Sequence, residues 1–418
     1  MKTGERSRRD FIRSAAAITG IAAAGIAAET KSTNTLRIGI VGLGARGREL
    51  LNAFETIDDA RIVALCDTDE GNLSDAQPKT QDNLSRYSAF ERMLEAETLD
   101  ALVVATPPAS HLPMCTAAID RGIPVYCESM MCHTLDDARR LAALANKQNA
   151  VVQIGLQRRA NAVYEQAEAM IRSGMLGTVT SVKCHWHLNH NWRRPASPTR
   201  ERDVNWRLYS PTAQGLMGEL AIHQLDVMNR LLRCAPALVI ATGGVDFWKD
   251  GRDACDNVYC TYTYEVPDAG EGKPQVVRAS CSYVLTNAHE GASELFMGTK
   301  GTLLLSAKLG LFYSEGAQPI AAQSPPLDPA LDGLSGASIT SRDTPWAHRG
   351  RAMELRNTAD DTRAALVAFV HAARAKDLQT ICTAHTGLEN AATSIIANES
   401  IQQGGTVRFP EDCRAIHA

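Results

Sequence analysis

Leu36-Arg-Ile-Gly-Ile-Val-Gly42-Leu-Gly44-Ala-Arg46-Gly47 is the stretch that decides the fold. A short β-branched run, a glycine turn and a helix-like continuation through Phe54 predict strand, turn and helix in succession. Gly42 permits the tight turn, Gly44 lets backbone amides approach a pyrophosphate, and Gly47 lets the helix lie against the strand. The amino end of that helix then attracts phosphates. A second strand, Arg61-Ile-Val-Ala-Leu-Cys, ends in Asp67, 20 residues after Gly47, the spacing of a ribose-binding acid. A carboxylate there accepts from the ribose hydroxyls and repels a 2'-phosphate, so NAD is expected over NADP. The bland alternative makes Asp67 a strand-end turn residue.

Further strands are predicted at Leu99 to Ala105, Ile123 to Cys127 and Val151 to Ile154, separated by helices after Ser110 and from Thr134. Such alternation means a doubly wound parallel sheet. Ligands bind beyond the carboxyl ends of such strands, so Asp67, Thr106-Pro107 and Glu128 should ring one crevice. Later strands are expected at Thr178 onward, Ala237 to Phe247, Val258 to Val266, Val276 to Leu285 and Glu294 to Leu305, and alternation such as Thr261-Tyr-Thr-Tyr264 indicates a one-sided sheet. Residues 315–357 make a long polar excursion, read as a lid or subunit contact. Two amphipathic helices, Ala359 to Ala375 and His385 to Gln402, are expected to close the chain and pack back near the domain junction.

The 418 residues are 44% hydrophobic and carry a net charge of -4, enough apolar content for large cores and no basic excess for nucleic acid. The 11 cysteines form no Cys-x-x-Cys pair, so neither a zinc finger nor a disulfide scaffold is expected. Arg8-Arg9 precede an uncharged small and apolar run from Ser14 to Ala28, which looks like a twin-arginine export signal cleaved near Ala28. The run is shorter than the ~20 residues a bilayer requires, so no stable membrane anchor is expected. The expected organisation is a signal at 1–28, an NAD-binding Rossmann domain at 34–155 and a second, substrate-binding domain at 156–418.

Thr106-Pro107-Pro108-Ala-Ser-His111, Cys127-Glu128-Ser129-Met130 and Gly174-Met-Leu-Gly177-Thr-Val resemble the glucose-fructose oxidoreductase, inositol dehydrogenase and MocA family. The resemblance implies a Rossmann domain followed by an open-faced, mostly antiparallel sheet, often used for homo-oligomerisation. It also implies that Gly42, Gly44, Arg46, Gly47, Asp67, Thr106, Pro107, His111, Glu128, Gln157 and the Trp206-Arg207 pair contact the cofactor. For His111 and Glu128 the alternatives are packing at a helix start and a locally satisfied strand-end carboxylate. Where the family carries Glu-Lys-Pro, with the lysine assisting proton transfer, this chain has Glu128-Ser129-Met130. Serine supplies no ammonium charge, so either another residue has the role or the reaction is altered.

Glu219, His223 and Asp226 are spaced by four and three within Gly215 to Leu232, predicting one ionisable stripe on a mainly apolar helix. The stripe is similar to the family's Asp-x-Gly-x-His-x-x-Asp pattern. His223 is the expected base for a substrate hydroxyl, with Glu219 or Asp226 orienting it; a solvated surface helix is the alternative. Lys183, His185, His187 and Asn189 share one face of a strand, read as a sugar-contacting wall rather than a metal site, and no metal is expected.

The leading functional expectation is a periplasmic NAD(H)-dependent oxidoreductase that moves hydride between a secondary hydroxyl of a sugar or glycoside and a tightly bound nicotinamide. One alternative is a redox-neutral glycoside hydrolase or lyase working by oxidation, elimination and reduction. Another is a non-catalytic sugar or nucleotide sensor.

Overall fold

Six parallel strands form the first sheet: β1 (Leu36–Val41), β2 (Ala60–Cys66), β3 (Ser85–Tyr87), β4 (Ala101–Val104), β5 (Val125–Glu128) and β6 (Val152–Gly155). Their order is β3-β2-β1-β4-β5-β6. The order reverses between β1 and β4, which opens a crevice at the carboxyl ends of those two strands. The strands are apolar runs because helices cover both faces; Ile38, Ile40, Leu102 and Val103 are fully buried. The computed structural model describes residues 35–77, 84–267, 274–315, 350–353 and 360–415. The expected signal at 1–28 and most of the 315–357 excursion lie outside the described residues.

Capping explains several helix starts. Thr134 accepts from the Asp137 amide at 3.2 Å, so the helix Leu135–Lys147 begins where the sequence indicates. Gly47 sits where a Cβ would meet the Gly42 carbonyl oxygen at 1.8 Å, which is how the helix Ala45–Phe54 approaches the glycine turn so closely.

The second sheet has nine described strands: β7 (Val179–His187), β8 (Leu238–Gly244), β9 (Asn257–Val266), β10 (Gln275–Val284), β11 (Ala292–Gly298), β12 (Gly301–Leu305), β13 (Gly310–Ser314), β14 (Arg351–Ala352) and β15 (Val407–Arg408). Their order is β14-β13-β12-β11-β7-β10-β9-β8-β15, antiparallel except for the β7–β10 pair. The single strand expected from Glu294 to Leu305 is instead the hairpin β11–β12, turned at Thr299-Lys300. The turn signal is Gly298-Thr-Lys-Gly301, between the two apolar runs.

One face of this sheet is a core. Val182, Cys184, Tyr262, Tyr264, Cys281 and Tyr283 are buried there, in the same apolar cluster as the helices Ile222–Leu232 and Ala384–Gln403. The other face is open and displays Ile240, Tyr259 and Val276, between 43% and 52% exposed. All eleven cysteines are free.

The described residues from Leu36 onward form one compact unit, and its carboxyl-terminal part returns to the first sheet. The helix Asp361–Ala375 buries Leu366, Phe369 and Val370 among Ile38, Ile40 and Phe54, with Phe369 edge-on to Tyr126 at 5.6 Å. Each of those side chains contributes about 1.5–3 kcal/mol by leaving water. The Gln153 amide also donates to the Ala365 carbonyl at 2.8 Å.

Candidate active site

The glycine turn and the ends of β2 and β4 build one wall of a cavity of about 480 Å³. Gly42, Gly44, Arg46, Asp67, Thr106 and Pro107 line that wall, and Trp206 and Arg207 line it from the second domain's side. Gly42 has φ +88°, and a Cβ there would lie 2.6 Å from the Ala105 carbonyl and the Thr106 amide. A Cβ on Gly44 would meet nothing within 4 Å, so the space before the helix start is open. Asp67 is pre-set by the Leu43 amide (2.7 Å), the Asp69 amide (2.8 Å) and the Asn72 side chain (3.2 Å). An open glycine cradle at a helix start, followed by a fixed carboxylate, fits a dinucleotide.

Four expected cofactor contacts lie outside the cavity lining: Gly47, which packs on the Gly42 carbonyl, and the three side chains that follow. His111 is fully buried, with Nε2 on the Thr106 carbonyl at 2.7 Å and Nδ1 at 3.3 Å from the Met131 carbonyl. It braces the loop behind the cavity wall, and burial lowers its pKa. Glu128 is also buried and binds Arg46 Nε at 2.9 Å; burial raises its pKa while Arg46 opposes the rise. It positions Arg46 and does not line the cavity. Gln157 begins the turn after β6; it does not line the cavity either, and its Oε1 is buried with no partner among the described residues.

The stripe on the expected helix is divided. Met217–Ala221 is a π turn and the α-helix runs only from Ile222 to Leu232, so the uninterrupted helix expected from sequence is corrected to a wide turn plus helix. Wide turns of this kind recur at functional positions. Glu219 accepts from Arg207 Nε at 2.6 Å. Asp226 is 1% exposed and holds Arg159, with Nη2 at 2.6 Å, as well as Asn390 at 2.7 Å. His223 Nδ1 is buried with no hydrogen-bond partner among the described residues. Neither carboxylate therefore holds that nitrogen, and the orienting role expected of Asp226 is corrected to an ion pair that joins elements.

Burial, with the Arg158 and Arg46 guanidinium charges, pushes the His223 pKa down to about 3. Burial therefore favours the neutral imidazole. Trp186 lies beside it, ring centroids 6.2 Å apart. Trp186 and Arg158 are the neighbours that sequence reasoning missed. Arg158 forms a buried ion pair with Glu294 and sits 5.1 Å from the Trp186 ring. The alternation of β7 carried the Trp186 signal: Val182, Cys184 and Trp186 point to the helix side, opposite Lys183, His185 and His187. The sugar-contact reading of that histidine face is therefore corrected. His185 and His187 face the open side, bonded to Ser293 (3.2 Å) and Ser282 (2.9 Å).

A parallel sheet of this order, with a glycine cradle, an acid after the second strand and a buried imidazole on an adjoining domain, defines a nicotinamide-dependent oxidoreductase. The chain belongs to the Gfo/Idh/MocA oxidoreductase family: residues 36–156 match its NAD-binding Rossmann fold and residues 168–409 its C-terminal alpha/beta domain. It is 28% identical over 309 residues to D-apiose dehydrogenase of Paraburkholderia graminis, covering 72% of this chain and 76% of that enzyme. It is 27% identical over 200 residues to inositol 2-dehydrogenase of Salmonella typhimurium, covering 47% of this chain and about half (55%) of that enzyme's length. Levoglucosan dehydrogenase, solved with NADH and L-sorbose, shares the fold at TM-score 0.68 and 16% identity, over 90% of this chain and 99% of that one.

Proposed function

We propose that the protein oxidises a secondary hydroxyl of a sugar or glycoside, with His223 as the group that takes the hydroxyl proton. The observation that carries this reading is the open glycine cradle beside the fixed Asp67 carboxylate, with a buried His223 whose Nδ1 has no partner among the described residues. Bound NAD supplies the hydride acceptor. The chain's own residues do the rest: Asp67 binds ribose hydroxyls, Gly42 and Gly44 admit the pyrophosphate, and Trp206 and Arg207 close the far wall. Arg207, which also holds Glu219, links the cavity to the segment leading into His223.

The names of the relatives, a pentose dehydrogenase and a cyclitol dehydrogenase among them, support a polyhydroxylated substrate. The N-terminal Arg8-Arg9 segment supports export by the twin-arginine route, which carries folded proteins and would let NAD load first. A periplasmic enzyme needs its cofactor retained, so the nicotinamide is expected to stay bound between turnovers. The exposed apolar side chains on the open sheet face support a homo-oligomer formed there.

Mass spectrometry of the ligand released from denatured, purified protein tests retention, and NAD is expected. A panel of sugars and chromogenic glycosides then tests the reaction: bound NADH, detected by its fluorescence, is expected to accumulate. Released aglycone without net NADH would replace this reading by redox-neutral cleavage. Protein that purifies empty and turns over only with millimolar NAD would remove the retention claim.

A further inference from the structure

The second domain supplies the outer side of the dinucleotide cavity. After β7 the chain runs into a loop, 194–205, from which Arg194, Arg200, Arg202, Asp203 and Val204 line the cavity opposite Asp67. One buried side chain closes the base of that loop: Asn205 accepts from the Arg194 amide at 2.7 Å and donates to the Arg194 carbonyl at 3.0 Å. Glu201 adds a second clasp, accepting from Asn205 Nδ2 at 2.9 Å and from the Tyr209 hydroxyl at 2.8 Å. Pro195 and Pro198 restrict the backbone between base and tip.

At the tip, Arg200 Nη2 donates to Asp69 Oδ2 at 2.6 Å, across 131 residues of sequence. Asp69 divides its oxygens, since Oδ1 accepts from the Asn72 amide at 3.0 Å and caps the helix Glu70–Asp75. Its own amide donates to Asp67 Oδ1 at 2.8 Å, so the loop is tied down directly beside the acid that fits a ribose. Arg194 and Arg202 have no carboxylate partner among the described residues, which leaves two positive charges on a wall facing a cradle fitted to a pyrophosphate.

We propose that the loop 194–205 is a strap across the Asp67 end of the dinucleotide site, with Arg200 on Asp69 as the latch that slows release of NAD. The proposal rests on the reading of the cavity as an NAD site and adds how the cofactor is retained there. Outward passage of the nucleotide requires the ion pair to break, while the Asn205 clasp keeps the base of the strap in place for reclosure. Of the two side chains 48% and 22% remain exposed, so the latch is weak and its effect is a modest rate factor.

The test follows release of NADH from the full folded protein by stopped-flow fluorescence, with excess NAD as the chase. Release is expected to be about 3–5-fold faster in Arg200→Ala, about 10-fold faster in Arg200→Glu, which sets a like charge against Asp69, and near wild type in Arg200→Lys. At about 1 M salt, where the screening length falls to about 3 Å, the wild-type and Arg200→Ala rates are expected to meet. Hydrogen exchange across 194–205 is expected to quicken in Arg200→Glu with the melting temperature unchanged. Equal release rates in wild type and a folded Arg200→Glu protein would overturn the strap alone. A wild-type protein that holds no dinucleotide would remove the NAD reading and the strap with it.

Discussion

Arg159 and Asp226 form a fork-to-fork ion pair across 67 residues of sequence, with Nε at 2.9 and 3.0 Å from the two carboxylate oxygens and Nη2 at 2.6 Å from Oδ1. The pair fastens the helix Ile222–Leu232 to the turn that follows β6. Asn390, from the helix Ala384–Gln403, donates to the same carboxylate at 2.7 Å. Three elements meet at one buried acid.

Removing that acid should therefore unsettle the fold before the chemistry. Asp226→Ala leaves the Arg159 charge buried without its partner, a loss of about 3–5 kcal/mol. Urea denaturation should give a midpoint shifted accordingly, and cofactor affinity of the remaining folded protein should stay near wild type. A variant with unchanged stability and abolished turnover would return Asp226 to a catalytic role.

His223→Gln should lower the rate of hydride transfer by about 10²–10⁴-fold while NADH binding, followed by fluorescence, changes little. Equal loss of both would mean that the imidazole shapes the site without reacting.

The depressed pKa of His223 fixes a pH window. Its folded value, about 3, lies below the ordinary 6.5 of an unfolded histidine, so the fold favours the neutral ring. Above pH 6.5 both states are neutral and the stability contribution is complete. As pH falls from 6.5 toward 3 the unfolded chain takes up a proton that the folded one refuses, and stability declines. Denaturant midpoints of wild type and His223→Gln should converge as the pH falls through that interval. In the same protein kcat/KM should show no His223 break near 6.5, and such a break, absent in His223→Gln, would contradict the burial argument.

Asp67→Ser should weaken NAD binding by about 10–100-fold, the worth of charge-assisted hydrogen bonds to the ribose, and should narrow the preference over NADP. Isothermal titration with both dinucleotides reads this directly. Equal affinities for NAD before and after substitution would show that Asp67 only closes the turn onto the Leu43 amide.

Gly47→Ala tests the closeness of helix and turn. The added methyl would fall 1.8 Å from the Gly42 carbonyl oxygen, so the glycine turn must open. Loss of NAD binding is expected, with a melting temperature lowered by several degrees.

The first domain was legible in the chain because its information is local. The β-branched runs, the spacing of Gly42, Gly44 and Gly47, the Thr134 cap and the acid ending β2 each specify a backbone shape within a few residues of themselves. His223 stood out for a similar reason, as an ionisable group in an apolar helix. The roles of its neighbours were decided only by the tertiary structure. Asp226 has catalytic spacing in the sequence, yet Arg159 neutralises it and Asn390 donates to it, from elements 67 and 164 residues away. Glu128 occupies a cofactor-contact position in the sequence, yet the packing turns it toward Arg46. Chain periodicity can show that a charge lies on a buried face. Which opposite charge meets it there depends on how distant segments close around it, and that closure sets whether a carboxylate is an acid, a base or a brace.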